Sequence, residues 1–133
     1  MRRVFLDSNV LVYAFSSDPK TEEALRLLEL GGIISIQSLN EFANVARRKL
    51  RMDWEELRTA LRVIRIRCAP PIILDEPLHT QGLDVAERYR LSVYDAMIVA
   101  AALVAGCETL YSEDMHAGLV VDGRLTIVNP FDA

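Results

Sequence analysis

Four acidic residues of this chain fall at places from which their carboxylates could meet in one site. Asp7 and Asp114 each come just past a short apolar run that is typical of a buried strand. Glu41 and Asp95 fall in the first turns of two predicted helices. In a parallel sheet covered by helices, sites form beyond the carboxyl ends of the strands. We therefore expect all four carboxylates to reach the same edge of one sheet.

Carboxylates gathered in this way need a counter-charge. At about 5 Å and an effective dielectric constant of about 20, each pair of them costs roughly 3 kcal/mol. Oxygen ligands with few histidines suit a hard divalent cation, Mg²⁺ or Mn²⁺, rather than zinc. A cation held by carboxylates, with some of its waters retained, is the usual apparatus of phosphoryl chemistry. The four acids together therefore predict a metal-dependent site that acts on phosphate esters.

Each acid taken singly also has a purely structural explanation. Glu41 follows a serine by three residues, which is the spacing of a capping box, and an acid at Asp95 would suit the dipole of its helix. Asp7 could cap the helix that follows it, and Asp114 could be a solvated turn residue. Independent caps, however, have no cause to fall at the same end of the same sheet, so the combination favours a site.

The elements that must position these acids are organised around an apolar stretch at residues 96–105, which contains no polar side chain. It predicts a buried helix, with Gly106 as the left-handed residue that ends it, and it is shorter than the roughly 20 residues that span a bilayer. Strands are predicted at residues 4–6, 33–36, 109–111 and 125–128, with a weaker one at 72–74. Helices alternate with them, which indicates a parallel sheet wrapped by helices.

Start signals and apolar spacing in the sequence indicate where the helices begin and which of their faces are buried. Proline at position 19 predicts a helix over residues 19–30, and serine at position 38 predicts the start of the helix that carries Glu41. The apolar spacing predicts that Leu25, Trp54 and Leu83 are core residues of three of the helices.

Composition limits the classes of protein to consider. The 133 residues are 51% hydrophobic and 26% charged, which is ordinary for a globular chain and predicts one domain over residues 1–133. We expect no signal peptide, because Asp7 interrupts the apolar run near the start. Cys68 and Cys107 show no metal-binding spacing, and two cysteines fit a reducing cytoplasm with no membrane association.

The charge is unevenly distributed along the chain. Residues 47–67 hold eight basic and three acidic side chains, a net charge of +5, which leaves −9 on the rest of a chain whose total is −4. The first of these basic residues follow Glu41 on its own predicted helix and are candidates for binding the phosphates of a polyanion: Arg47, Arg48, Lys49 and Arg51. The alternative is a solvated helix face, since arginines routinely cover exposed surface.

Four sequence motifs resemble the acidic motifs of PIN-domain nucleases. They are VFLDSNVLVY at residues 4–13, SLNEF at 38–42, YDAMIVAAA at 94–102 and YSED at 111–114. Their order, their spacing and the total length resemble the toxin component of VapBC-type toxin–antitoxin pairs, over essentially the whole chain. Serine stands where threonine is commoner at two positions, Ser8 and Ser112.

The resemblance implies an α/β fold, a three-layer α/β/α sandwich with a central, mostly parallel sheet of four or five strands. It implies an endoribonuclease dependent on Mg²⁺ or Mn²⁺ that leaves a 3′-hydroxyl and a 5′-phosphate. It also implies an antitoxin partner and a homodimer. Carried over to this sequence, the catalytic and metal-binding acids are Asp7, Glu41, Asp95 and Asp114, with support from Asn9 and Ser112. Glu113 leaves the identity of the fourth ligand open.

Two other functions compete with the nuclease. One is a catalytically inactive module of the same fold that binds RNA or protein. The other is a phosphatase or phosphotransferase with Asp7 as nucleophile. That chemistry usually has a second acid two residues later, where this chain has Asn9.

Overall fold

A computed structural model describes residues 3–132 of the chain. Four strands and six helices are present in this range. In chain order they are β1 (Val4–Leu6), α1 (Ser8–Ala14), α2 (Thr21–Leu30), α3 (Ile36–Arg48), α4 (Trp54–Arg67), α5 (Glu76–Tyr89), α6 (Val93–Val104), β2 (Thr109–Tyr111), β3 (Val120–Val121) and β4 (Leu125–Val128).

The strands form one mostly parallel sheet in the order β1-β2-β4-β3. β2 pairs in parallel with both β1 and β4, and only the short β3 is antiparallel, against β4. The turn at Asp122 and Gly123, both with positive φ, makes this last pair a hairpin. The predicted strands at 33–36 and 72–74 are reduced to single parallel bridges, Phe5 to Ile33 and Ser35 to Ile72.

Helices cover both faces of this sheet. Phe5 and Leu6 are adjacent in β1, both are fully buried, and they belong to separate clusters of the core because successive side chains of a strand point to opposite faces. The cluster around Phe5 contains α5 and α6, and the cluster around Leu6 contains α1 to α4. The three-layer α/β/α arrangement predicted from the sequence is therefore confirmed.

The central helix α6 is buried almost throughout, as its composition predicts. Every residue from Ala96 to Leu103 is buried. Ser92 caps the helix by accepting a hydrogen bond from the Asp95 amide at 3.1 Å, and Gly106 follows its end with φ of 73°. Within residues 3–132, no helix combines the length and apolarity needed to cross a bilayer.

The start of α3 differs from the prediction. The helix begins at Ile36, with Ser35 as its cap, and Ser35 and Ser38 form a reciprocal capping box. Ser38 is therefore the third residue of the helix and not its cap. Glu41 consequently lies in the second turn, so it has no capping role, and the structural explanation offered for it above is wrong.

Three apolar side chains that the spacing places in the core are exposed instead. Leu25 is 40% exposed, Trp54 57% and Leu83 44%. In α2 and α5 the apolar residues two positions later, Leu27 and Val85, are buried instead. In α4 the buried residue is Leu57, which the same spacing also predicts to be in the core. In addition, α2 begins at Thr21, two residues later than predicted.

Candidate active site

Asp7 is a buried carboxylate at the junction of β1 and α1. Its amide extends the β1–β2 pairing by donating to the Tyr111 carbonyl at 3.0 Å. Its side chain is the cap of α1 and is only 4% exposed. Oδ1 accepts from the Ser8 amide at 2.7 Å, and Oδ2 accepts from the Ser112 hydroxyl at 2.7 Å. Asp7 is therefore both a helix cap and a fixed acid at the carboxyl end of a strand.

Burial raises the pKa of Asp7 to about 6. The hydrogen bonds from Ser112 and Ser8 oppose this rise, and the negative charges of Glu41 and Asp95 add to it. These two charges act on Asp7 from α3 and α6, so three of the four predicted acids share one electrostatic environment.

Glu41 is held toward this edge by two side chains. Oε1 accepts from the Ser8 hydroxyl at 3.0 Å, and Oε2 accepts from the Gln37 amide at 3.0 Å. Gln37 is four residues earlier on the same helix, and Ser8 follows Asp7. The Ser8 residue therefore links the first two acids, with its amide on one and its hydroxyl on the other.

Asp95 and Asp114 complete the group from the opposite side. Asp95 is partly buried in the first turn of α6, and its pKa is raised, first by burial and then by the charge of Asp114. Asp114 is exposed in the loop after β2 and accepts from the Asn9 amide at 3.3 Å. Like-charge repulsion therefore acts on Asp7 from Glu41 and Asp95, and on Asp95 from Asp114.

Asn9 connects the start of α1 to the loop after β2 by hydrogen bonds of its side-chain amide. Its Nδ2 lies 3.4 Å from Asp7 Oδ2, 3.4 Å from Ser112 Oγ and 3.3 Å from Asp114 Oδ2. Its Oδ1 accepts from the Glu113 amide at 3.2 Å. Asn9 thereby fixes the distance between the first and fourth acids.

The two candidates for the fourth acid have different surroundings. The Glu113 carboxylate accepts from the Tyr13 hydroxyl at 2.7 Å and forms an ion pair with Lys20. The pKa of Glu113 is lowered by those two partners, which outweigh its own desolvation. Asp114 instead faces Asn9 and acts electrostatically on Asp95. Geometry therefore favours Asp114 over Glu113 as the fourth member of the site.

The donor set consists of oxygen atoms only, which is the chemistry that Mg²⁺ and Mn²⁺ prefer. Among residues 3–132, no three side chains of the histidine, cysteine, aspartate or glutamate types are close enough to hold one ion together. The acids therefore share one edge of the sheet without forming a closed cage, an arrangement in which water would complete a coordination sphere.

The four basic candidates separate into different surroundings. Lys49 lines a cleft of about 410 Å³ together with Asn9 and Asp114. Arg47 instead stacks on the Trp54 ring, 4.2 Å from its centroid, and donates to the Met52 carbonyl at 2.7 Å. Arg48 and Arg51 are exposed. The structure therefore places Lys49, of these four, at the acidic cleft.

Sequence reasoning missed three residues at this edge, Ser8 as a hydrogen-bond donor, Gln37 and Tyr94. Gln37 and Tyr94 line a second cleft of about 430 Å³ with Glu41. Two signals in the sequence could have found them. Gln37 precedes Glu41 by one helical turn, and Tyr94 directly precedes Asp95.

Comparison with known families identifies the fold. The profile of the PIN domain family matches residues 4–117, which is most of the chain and includes all four acids. The chain belongs to the PIN-domain family. The resemblance noted in the sequence is thereby confirmed, and the arrangement described above is the edge of a PIN fold.

Solved structures support the same fold. The chain is similar to VapC20 of Mycobacterium tuberculosis, a toxin that cleaves the sarcin–ricin loop, at 20% identity over 84% of this chain and 89% of that one, with a TM-score of 0.68. A toxin–antitoxin complex from Klebsiella pneumoniae matches at 21% identity over 98% and 99%, with a TM-score of 0.72. VapBC2 of Rickettsia felis, bound to a DNA fragment from its promoter, matches at 21% identity over 84% and 87%, with a TM-score of 0.62. None of the curated proteins matches the sequence.

Proposed function

We propose that this PIN-domain chain is a divalent-metal-dependent endoribonuclease and the toxin of a toxin–antitoxin pair. The observation that carries the proposal is the group of four carboxylates at one edge of the sheet: Ser8 and Asn9 link Asp7, Glu41 and Asp114 by hydrogen bonds, and the charge of Asp95 acts on Asp7. Structural likeness to VapC20 and to toxin–antitoxin complexes supports the choice of RNA as substrate and of an antitoxin as partner. An RNA substrate also supports a cytoplasmic location.

Each polar residue of the site has a role in this proposal. Asp7 and Asp95, with Glu41 and Asp114, would hold Mg²⁺ or Mn²⁺, directly or through water. Asn9 and Ser112 orient Asp7 by hydrogen bonding, while Ser8 and Gln37 orient Glu41. The bound ion would supply an activated water and neutralise charge on the leaving oxygen. Because the acids bind the ion and not the phosphorus, the proposal involves no covalent intermediate.

RNA binding in this proposal relies on basic side chains at the cleft and on the surface that continues from it. Lys49 lies beside Asp114 at the cleft, where an ammonium group can meet a phosphate next to the acidic centre. The other arginines of residues 47–67 would extend this surface. The opposing charges explain how a chain of net charge −4 can attract a polyanion to an acidic site.

The direct test is cleavage of total RNA by Asp95→Asn. This substitution keeps the size of the side chain. It also leaves in place the hydrogen bond that the backbone amide of residue 95 donates to the Ser92 hydroxyl. We expect at least an approximately 100-fold loss of the cleavage rate in Mn²⁺, because several kcal/mol of transition-state stabilisation depend on the ion. Circular dichroism and unfolding should show a folded variant.

Glu87→Gln on α5 is the matched control, since it removes one exposed carboxylate away from the acids. It should cleave like the wild type. Equal rates for Asp95→Asn and the wild type would contradict the site assignment. A wild-type protein that binds RNA without cutting it would instead be an inactive binding module, and release of phosphate without chain scission would indicate a phosphatase.

A further inference from the structure

The second cleft lies between α3 and the start of α6 and borders the acidic site. Its lining residues are Gln37, Asn40, Glu41, Asn44 and Tyr94. The four from α3 follow one another at spacings of three, one and three residues, so they form one stripe on a helix face. The opposite face of α3 packs Leu39, Phe42 and Ala46 into the core. Within this stripe Gln37 is buried against Glu41, whereas Asn40 and Asn44 are exposed, so the solvent-facing part of the cleft on this helix is formed by the two asparagines.

The aromatic side chain of Tyr94 is exposed to solvent. Its side chain is 67% exposed although it stands in the first turn of the most deeply buried helix of the chain. It directly precedes Asp95, and it shares the cleft with Glu41. An aromatic ring is thus presented to solvent beside two of the four acids.

The chemistry of this cleft suits a neutral ring and not a phosphate. It offers one aromatic face, the exposed amide groups of Asn40 and Asn44, and the Glu41 carboxylate, whose charge would repel an anion. Aromatic side chains stack on unpaired bases, and amides hydrogen-bond to base edges with both donors and acceptors. The basic residue at the acids, Lys49, lines the other cleft.

We propose that Tyr94 and the amides of Asn40 and Asn44 form a nucleobase-binding subsite next to the acidic centre. The inference rests on the proposed nuclease function and adds one contact to it: a single base of the RNA, unstacked from its neighbours, is seated on the Tyr94 ring. A base within a duplex presents no free face to the ring, so the subsite selects unpaired segments.

The test is single-turnover cleavage of a short single-stranded RNA by wild type, Tyr94→Ala and Tyr94→Phe in Mn²⁺. The protein concentration at half-saturation should rise roughly 5- to 150-fold for Tyr94→Ala, the range for losing one stacked base. Tyr94→Phe keeps the ring and should stay within about twofold of the wild type. Val93→Ala, which truncates the neighbouring exposed residue, is the matched control.

Substrates in which one base at a time is removed make the test specific. At one position, loss of the base should weaken wild-type binding by the same factor as Tyr94→Ala, and combining the two changes should add nothing. At the remaining positions the two effects should multiply. Such coupling at a single position would establish the subsite.

Other results would overturn the inference without touching the nuclease assignment. If wild type cleaves RNA and Tyr94→Ala binds every substrate within about twofold of it, the ring is not a base platform. If Tyr94→Ala instead weakens binding of a purified protein partner but not of RNA, the cleft is a protein-binding surface. If the wild type neither binds nor cleaves RNA, the proposed function and the inference fall together.

Discussion

Asp7 is the residue on which both the fold and the proposed chemistry depend. Its amide continues the strand pairing, its carboxylate caps α1, and the Ser112 hydroxyl joins it to the loop after β2. Full burial of an ionised carboxylate carries a desolvation cost, which its hydrogen bonds only partly offset, so its pKa is raised to about 6. Burial thus destabilises the ionised form of Asp7 at the position where a cation would bind.

This cost predicts how stability depends on pH when chelator keeps metal ions away. Between pH 3.8 and about 6, folded Asp7 retains a proton that the unfolded chain releases, so the free energy of unfolding falls as pH rises through this window. Asp7→Asn cannot titrate. Relative to that variant, the wild type should therefore lose roughly 2.4 kcal/mol between pH 4 and pH 7.

Urea unfolding of both proteins in EDTA, at several pH values, measures this difference. Glu87→Gln serves as the control and should follow the wild type. A constant difference between wild type and Asp7→Asn at all pH values would show that the Asp7 carboxyl has an ordinary pKa.

At the scale of elements, α3 shows what could be predicted from the sequence and what could not. The helix, its apolar face and the place of Glu41 on it follow from residue spacing. Its start does not, because Ser35 and Ser38 are both good caps, and the choice is made by a distant contact: the Ile36 amide donates to the Ile72 carbonyl at 3.0 Å. The prediction that Leu25, Trp54 and Leu83 are core residues is wrong because each lies beside the buried stripe of its helix. Residue spacing alone does not determine which of two adjacent stripes the rest of the fold covers.

The cap of α3 should matter for activity as well as for stability. Ser35→Ala removes the capping box that fixes the first turn, from which Gln37 reaches Glu41. We expect a loss of about 1 kcal/mol in the free energy of unfolding, and slower cleavage because Glu41 is less well oriented.

Asp75→Ala is the matched comparison, because Asp75 caps α5 by accepting from the Leu78 amide at 3.0 Å. It should cost a similar amount of stability and leave the cleavage rate close to that of the wild type. Equal effects of both variants on cleavage would mean that α3 has no special part in orienting the site.

At the scale of the whole molecule, the strand ends bring together residues that are far apart in the chain. Asn9 contacts Asp114 across 105 positions, and Lys20 pairs with Glu113 across 93. The sequence placed Asp7 and Asp114 after the carboxyl ends of two strands, and in the structure those strands, β1 and β2, are neighbours whose ends share an edge. The resemblance named Asn9 as a supporting residue, but the sequence could not predict its separate contacts with Asp7, Ser112 and Asp114. Nor could it predict that Tyr13 and Lys20 would engage Glu113, since these contacts depend on side-chain directions set by the packing of α1 and α2.

The central claim is that this edge of the sheet binds a divalent cation through carboxylates, and calorimetric titration with Mn²⁺ tests it most directly. Wild type should show saturable binding. It should also gain about 2.7 kcal/mol of stability at a free Mn²⁺ concentration one hundred times its Kd. Asp7→Asn and Asp95→Asn should bind at least about tenfold more weakly, while Glu87→Gln should match the wild type. The account would be contradicted by absence of saturable binding to the wild type, or by equal affinity in all four proteins.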